Sequence, residues 1–129
     1  MRFSTAKGSI EMTVPAKHLI VNRYSEEGDV ALAGPLLREM SRVLRSGRPM
    51  CIMNDAEQLT DYDSGFRQQW TEWLRQNRSQ IKAFHLLHGS GLVRVGANLA
   101  NVVLGDLIKG YADRTAFDAA VSQFLRSPP

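Results

Sequence analysis

Met50-Cys51-Ile52-Met53-Asn54-Asp55-Ala56-Glu57-Gln58-Leu59-Thr60-Asp61-Tyr62-Asp63-Ser64-Gly65-Phe66 changes character along its length. Pro49 to Met53 is apolar at consecutive positions, the pattern of a central strand covered on both faces. Asn54, Asp55 and Ala56 then read as a turn. Thr60 to Ser64 is rich in residues that cap helices. From Phe66 the apolar residues fall at helical spacing, with Trp70, Trp73 and Leu74 at i+4, i+7 and i+8. A buried strand that runs through a polar turn into an amphipathic helix is the unit from which α/β sheets are built.

Upstream, Ile10, Met12 and Val14 alternate with polar neighbours, and His18 to Tyr24 forms a second strand. Only Pro15-Ala16-Lys17 joins them. That length favours an antiparallel hairpin, because parallel strands need a crossover of about a dozen residues or more. A polar loop at Ser25–Gly28 leads to a helix ending near Arg45, whose apolar face is Leu36, Leu37, Met40, Val43 and Leu44. Pro35 is expected in its first turn and Gly47 just past its end.

Downstream, Ile81 to Leu87 reads as another buried strand. Gly89-Ser90-Gly91 opens a third helix with Ser90 as N-cap, large apolar residues at Leu92, Val95, Leu99, Val102, Val103 and Leu107, and small ones at Gly96, Ala97, Ala100 and Gly105. Ile108 to Ala112 is a short last strand. Asp113 or Thr115 caps a final helix carrying Phe117, Val121, Phe124 and Leu125, and Pro128 and Pro129 close the sequence.

The order β-β-α-β-α-β-α-β-α predicts one α/β domain over residues 1–129, with an ordered core at about 9–125. It has a central mixed, mostly parallel sheet of 4–5 strands and about four flanking helices. Met50–Met53 and Ile81–Leu87 are expected as interior parallel neighbours, and Ile52, Phe84, Trp70, Leu99 and Leu125 as core. Trp73 is left open between core and interface.

A chain of 129 residues that is 43% hydrophobic and 22% charged carries enough apolar material for one core without staples. Cys51 is the single cysteine, which fits a reducing compartment. No apolar run reaches the roughly 18 residues of a spanning helix, and the first residues lack the apolar stretch of a secretory signal. The expectation is a cytoplasmic protein with no membrane partner. The net charge of +3 is spread along the chain, and Arg38, Arg42 and Arg45 read as a solvated helix face, so no nucleic-acid partner is expected.

The motifs of common catalysts fail at identifiable positions. Gly89 and Gly91 begin a dinucleotide fingerprint whose third glycine is Arg94. Gly91 and Gly96 have P-loop spacing, but Ala97 and Asn98 replace its lysine and hydroxyl. His85 and His88 point to opposite faces of a strand, and a lone Cys51 adds no paired ligand, so no metal and no cofactor are expected. Cys51 in an apolar strand is a protonated, inert thiol. Ser64 lies in Asp-Ser-Gly, outside a nucleophile elbow. The carboxylates Asp55, Glu57, Asp61 and Asp63 follow a strand, where α/β folds place their sites, yet no base or nucleophile accompanies them. The reading is therefore not an enzyme.

The element order, with Tyr62-Asp63-Ser64-Gly65-Phe66, resembles the STAS domains of sulfate transporters and bacterial anti-sigma factor antagonists. In those domains an apolar strand and an Asp-containing turn precede Asp-Ser-Ser-Gly-Leu at a helix start. Ser64 matches the serine before the glycine, while Asp63 stands where the family has its other serine and Tyr62 where it has aspartate. The resemblance covers about residues 9–125. It implies a non-catalytic regulatory module that binds another signalling protein through Asp55, Asp61, Asp63, Ser64 and Arg67, with Ser64 as the possible phosphorylation site. Against this stands Ser64 as a helix cap. An alternative is a carrier of a small apolar ligand or lipid in space left beside the third helix, and a homodimer through an apolar face of the third or last helix is a further expectation.

Overall fold

The computed structural model describes residues 1–126; Pro128 and Pro129 lie outside the described residues. The elements are β1 (Arg2–Ser4), β2 (Gly8–Ala16), β3 (Leu19–Gly28), α1 (Val30–Leu44), β4 (Met50–Tyr62), α2 (Ser64–Gln76), β5 (Ile81–His88), α3 (Gly91–Leu104), β6 (Ile108–Tyr111) and α4 (Arg114–Arg126). They form a single α/β domain around one six-stranded sheet whose spatial order follows the chain. β1 to β3 pair antiparallel, and β3 to β6 pair parallel. Each parallel step passes through a helix, as a parallel neighbour requires.

Alternation along β4 divides the core. Met50, Ile52 and Ala56 face the larger cluster, which takes in buried residues of α1, α2 and α3. Cys51 and Met53 face the smaller cluster, closed by Phe117 with Phe124 and Val121 of α4. β4 and β5 are interior neighbours in the predicted register, with Ile52 opposite Phe84. Ile52, Phe84 and Trp70 are buried as expected. Trp73 is core as well: it meets Trp70 edge-on, and its indole N–H donates to Ser41 Oγ at 2.9 Å, joining α2 to α1.

Four expectations are corrected. The sheet has a sixth strand, β1, too short to show a period, whose Phe3 pairs with Ile10. Asn54–Ala56 is strand, not turn, because buried partners override its turn propensity. Asn54 Oδ1 accepts from Tyr24 Oη at 2.7 Å and from Asn22 at 3.2 Å, and its amide donates to His85 O. Pro35 sits inside α1, since Asp29 caps the helix earlier and starts it at Val30. Leu99 and Leu125 are exposed. α3 packs through Val93, Gly96, Ala100 and Leu104 instead, because small residues bring its backbone close to the sheet and turn the large aliphatic residues outward. On α4, Phe117 occupies the buried position.

Candidate functional site

β3 and β4 end side by side, with Gly28 paired to Tyr62, and each runs straight into a helix. A Cβ on Gly28 would lie 2.8 Å from that of Tyr62, so only glycine allows the approach. Asp29 caps α1 through its bond from Ala31 N. Asp63 caps α2 and does more: Oδ1 accepts from Phe66 N at 2.7 Å and Oδ2 from Val30 N at 2.9 Å. One exposed carboxylate thus satisfies free N–H groups of two helices, where the dipoles favour negative charge.

That arrangement decides the place of Ser64. It is the first residue of α2 and exposed, and among the described residues its hydroxyl makes no hydrogen bond. The cap is Asp63, so Ser64 stands free beside an N-terminus. Arg67 lies one turn further on, against the edge of α3 near Gly96. Asp61 is exposed, with its carboxylate accepting from Tyr62 N at 2.8 Å, and it pairs in register with Glu27. Asp29 is held below the usual carboxylate range by the Ala31 N–H and then the Thr5 hydroxyl. Ser64 therefore sits in an acidic rim with Arg67 as the nearby cation.

Tyr62 joins this rim to α3. Its hydroxyl donates to Leu92 O at 3.0 Å and lies where a side chain on Gly96 would be. Burial pushes the phenol pKa up, so it remains a donor. Sequence reading missed this link, because nothing in the spacing of Tyr62 and Leu92 announces it.

Asp55 belongs elsewhere. Its side chain is 5% exposed and accepts two bonds from Arg114 Nη2, at 2.9 and 2.8 Å, with Arg23 at 3.5 Å. Glu57 takes the Nε of the same arginine at 3.0 Å. These carboxylates hold the start of α4 on the sheet, away from Ser64.

Among the described residues no group of three or more His, Cys, Asp or Glu side chains gathers as a metal site, and no helix is long and apolar enough to cross a membrane. Burial pushes the Cys51 thiol up, which keeps it protonated. Ser90 caps α3 through Val93 N. Gly89 is glycine for packing: a Cβ there would lie 2.3 Å from Glu57 O. The apolar space between α2, α3 and the sheet, lined by Trp70, Phe84 and Ala100, has a volume of about 90 Å³. Pockets for small ligands start near about 300 Å³, so this space does not favour the carrier reading.

A mixed six-stranded sheet with α1 to α3 on one face and α4 on the other is the STAS-like fold, as seen in SpoIIAA. The phosphorylated form of the Bacillus cell fate determinant SpoIIAA superposes with a TM-score of 0.63 at 18% identity, over 86% of this chain and 98% of that one. The unphosphorylated form of the anti-sigma factor antagonist SpoIIAA gives 0.60 at 19% identity, over 88% and 96%. An uncharacterised DUF3478-family protein of SpoIIAA-like fold from Shewanella loihica gives 0.62 at 10% identity, over 92% and 98%. No family model matches the chain, and a search of curated proteins returned no match.

Proposed function

We propose that residues 1–129 form a non-catalytic regulatory module that binds another signalling protein in the cytoplasm. Its contact surface is the start of α2, with Asp61, Asp63, Ser64 and Arg67 as contact residues and Asp55 as a buried support for the neighbouring α4. Ser64 is the switch. The observation that carries this reading is the free, exposed Ser64 hydroxyl beside a helix N-terminus already capped by Asp63. The likeness to a fold solved in phosphorylated and unphosphorylated forms supports it.

The physics of the switch is a contest of charges. A phosphate on Ser64 adds about −1.5 to −2 charges. The helix N-terminus and Arg67 favour it, while Asp61 and Asp63 oppose it and any acidic partner surface. Repulsion of that kind ejects a bound protein.

The test begins with mass spectrometry of the chain isolated from its own cells, read at the Ser64 peptide. A partner nominated by cross-linking is then titrated calorimetrically against wild type, Ser64→Ala and Ser64→Asp. The proposal expects phosphate on Ser64, binding by the alanine variant as by wild type, and at least a tenfold loss with aspartate. Equal binding by all three would sink the switch.

A further inference from the structure

The solvent face of α3 carries a row of large aliphatic side chains. Leu92, Val95, Leu99, Val102 and Val103 are between 45% and 83% exposed. They form one stripe. Leu92, Val95, Leu99 and Val102 follow one another at intervals of three, four and three residues. This is the spacing of the a and d positions of a coiled-coil seam, which present a straight apolar edge to a second helix. The five residues leave roughly 450 Å² to water, within the 300–600 Å² of the largest, often functional, patch of a monomer.

We infer that this stripe is the interface of a homodimer, in which α3 packs antiparallel against α3 of a second copy. The inference rests on the face of α3 alone and is independent of the role of Ser64. A two-fold axis crossing the stripe midway between Val95 and Leu99 sets Leu92 against Val102 of the second copy and Val95 against Leu99. Each pair joins one leucine to one valine, so the stripe is complementary to itself in volume, as an isologous interface requires. The antiparallel sense also opposes the two helix dipoles.

Composition selects this occupant over others. Arg94 is the only charged residue between Gly91 and Leu104, and there is no aromatic side chain. A helix lying in a lipid surface carries Lys and Arg along its polar face and Trp or Phe on the other. Interfaces with unrelated proteins concentrate their energy in Trp, Tyr and Arg. An uncharged Leu/Val seam has neither signature. The area fits as well. A standard interface takes about 800 Å² from each partner, and homodimer interfaces are about 65% apolar. The stripe supplies most of that apolar share, and its exposed neighbours Arg94 and Asn98 begin the polar rim.

Sedimentation of the full chain from about 1 µM to about 500 µM, the range of an interface of modest affinity, reads the association directly. The mass is expected to rise from 14.4 kDa toward twice that value. Val102→Glu and Leu99→Glu are each expected to weaken association at least tenfold, while their melting temperatures at the lowest concentration match wild type. Oxidising a mixture of Val95→Cys and Leu99→Cys should give a disulfide-linked pair of the two variants in excess over either self-pair, with the buried Cys51 taking no part. A wild type that stays at 14.4 kDa throughout, or glutamate variants that associate like wild type, would overturn the inference. Self-pairs in excess over the mixed pair would overturn the antiparallel arrangement.

Discussion

Asp55 and Arg114 meet through a two-pronged contact: Arg114 Nη2 donates to both oxygens of the Asp55 carboxylate, at 2.9 and 2.8 Å. The arginine is half in water and the aspartate is buried. Its other nitrogens reach Glu57 and Asp118, so one side chain ties β4 to the first turn of α4. The Asp55 and Glu57 bonds raise the Arg114 pKa above its ordinary value, so the guanidinium stays charged.

Removing one partner of a buried pair leaves an uncompensated charge, which typically costs about 3–5 kcal/mol. Arg23 remains beside Asp55 and offsets part of this. Arg114→Ala is expected to lose about 2–3 kcal/mol in urea denaturation, and Asp55→Asn in the Arg114→Ala background should recover part of it. An Arg114→Ala protein as stable as wild type would show that α4 is held by Phe117 and Phe124 alone.

Stability should fall in mild acid because of His85. Burial, with Lys109 alongside, lowers its pKa to about 4. The neutral ring shares a hydrogen bond with Tyr111 Oη at 2.9 Å and packs edge-on against Phe124 of α4. The unfolded chain takes up a proton near about pH 6.5, whereas the folded chain does so only near 4. The neutral ring's contribution is therefore complete above about pH 6.5 and shrinks as the pH falls toward 4. Urea midpoints measured across this window should drop more for wild type than for His85→Phe. Parallel curves would mean that His85 titrates normally.

Leu99→Ala, measured below the concentration at which copies associate, should cost about 0.5 kcal/mol or less, the usual scale of a surface change. Leu104→Ala removes a buried side chain of the same helix and should cost about 2–5 kcal/mol. Chemical denaturation of the two variants checks the orientation of α3, and a larger loss for Leu99 would reverse it.

This pair of leucines shows where sequence reading stopped. The period of α3 is clear, but two faces of the helix are apolar. By size alone Leu99 reads as core. Close approach selected Gly96 and Ala100 instead, and helical periodicity alone does not distinguish the two faces. The central parts of β2 to β6 and the cap at Ser90 are legible because alternation, short connections and capping chemistry are local, whereas Ser25–Gly28, which reads as a polar loop, is the end of β3, paired along β4. The strand conformation of Asn54–Ala56 was hidden because it depends on Asn22, Tyr24 and Arg114, which are distant in the chain. At the candidate site, Asp63 and Ser64 were found from local pattern. Which of them caps the helix, and the second bond from Asp63 to Val30, came only with the fold.

That division of labour between Asp63 and Ser64 has a direct consequence for stability. Asp63 supplies an acceptor to Phe66 N in α2 and another to Val30 N in α1. Losing an N-cap side chain costs about 0.5–2 kcal/mol, and here two helix ends lose a partner together. Asp63→Ala is therefore expected to cost about 2 kcal/mol, at the upper end of that range. Asp63→Asn keeps one oxygen acceptor and should fall between alanine and wild type. Ser64→Ala removes a hydroxyl that bonds nothing among the described residues, and alanine favours the helix, so its stability should match wild type or slightly exceed it. Thermal and urea unfolding of the three variants under one buffer reads the ranking. If Ser64→Ala were the most damaging of the three, the hydroxyl would be the cap and Asp63 a solvated neighbour. If Asp63→Ala were neutral, the bond to Val30 would contribute nothing, and the two helix starts would be held together by Gly28 and Gly65 packing alone.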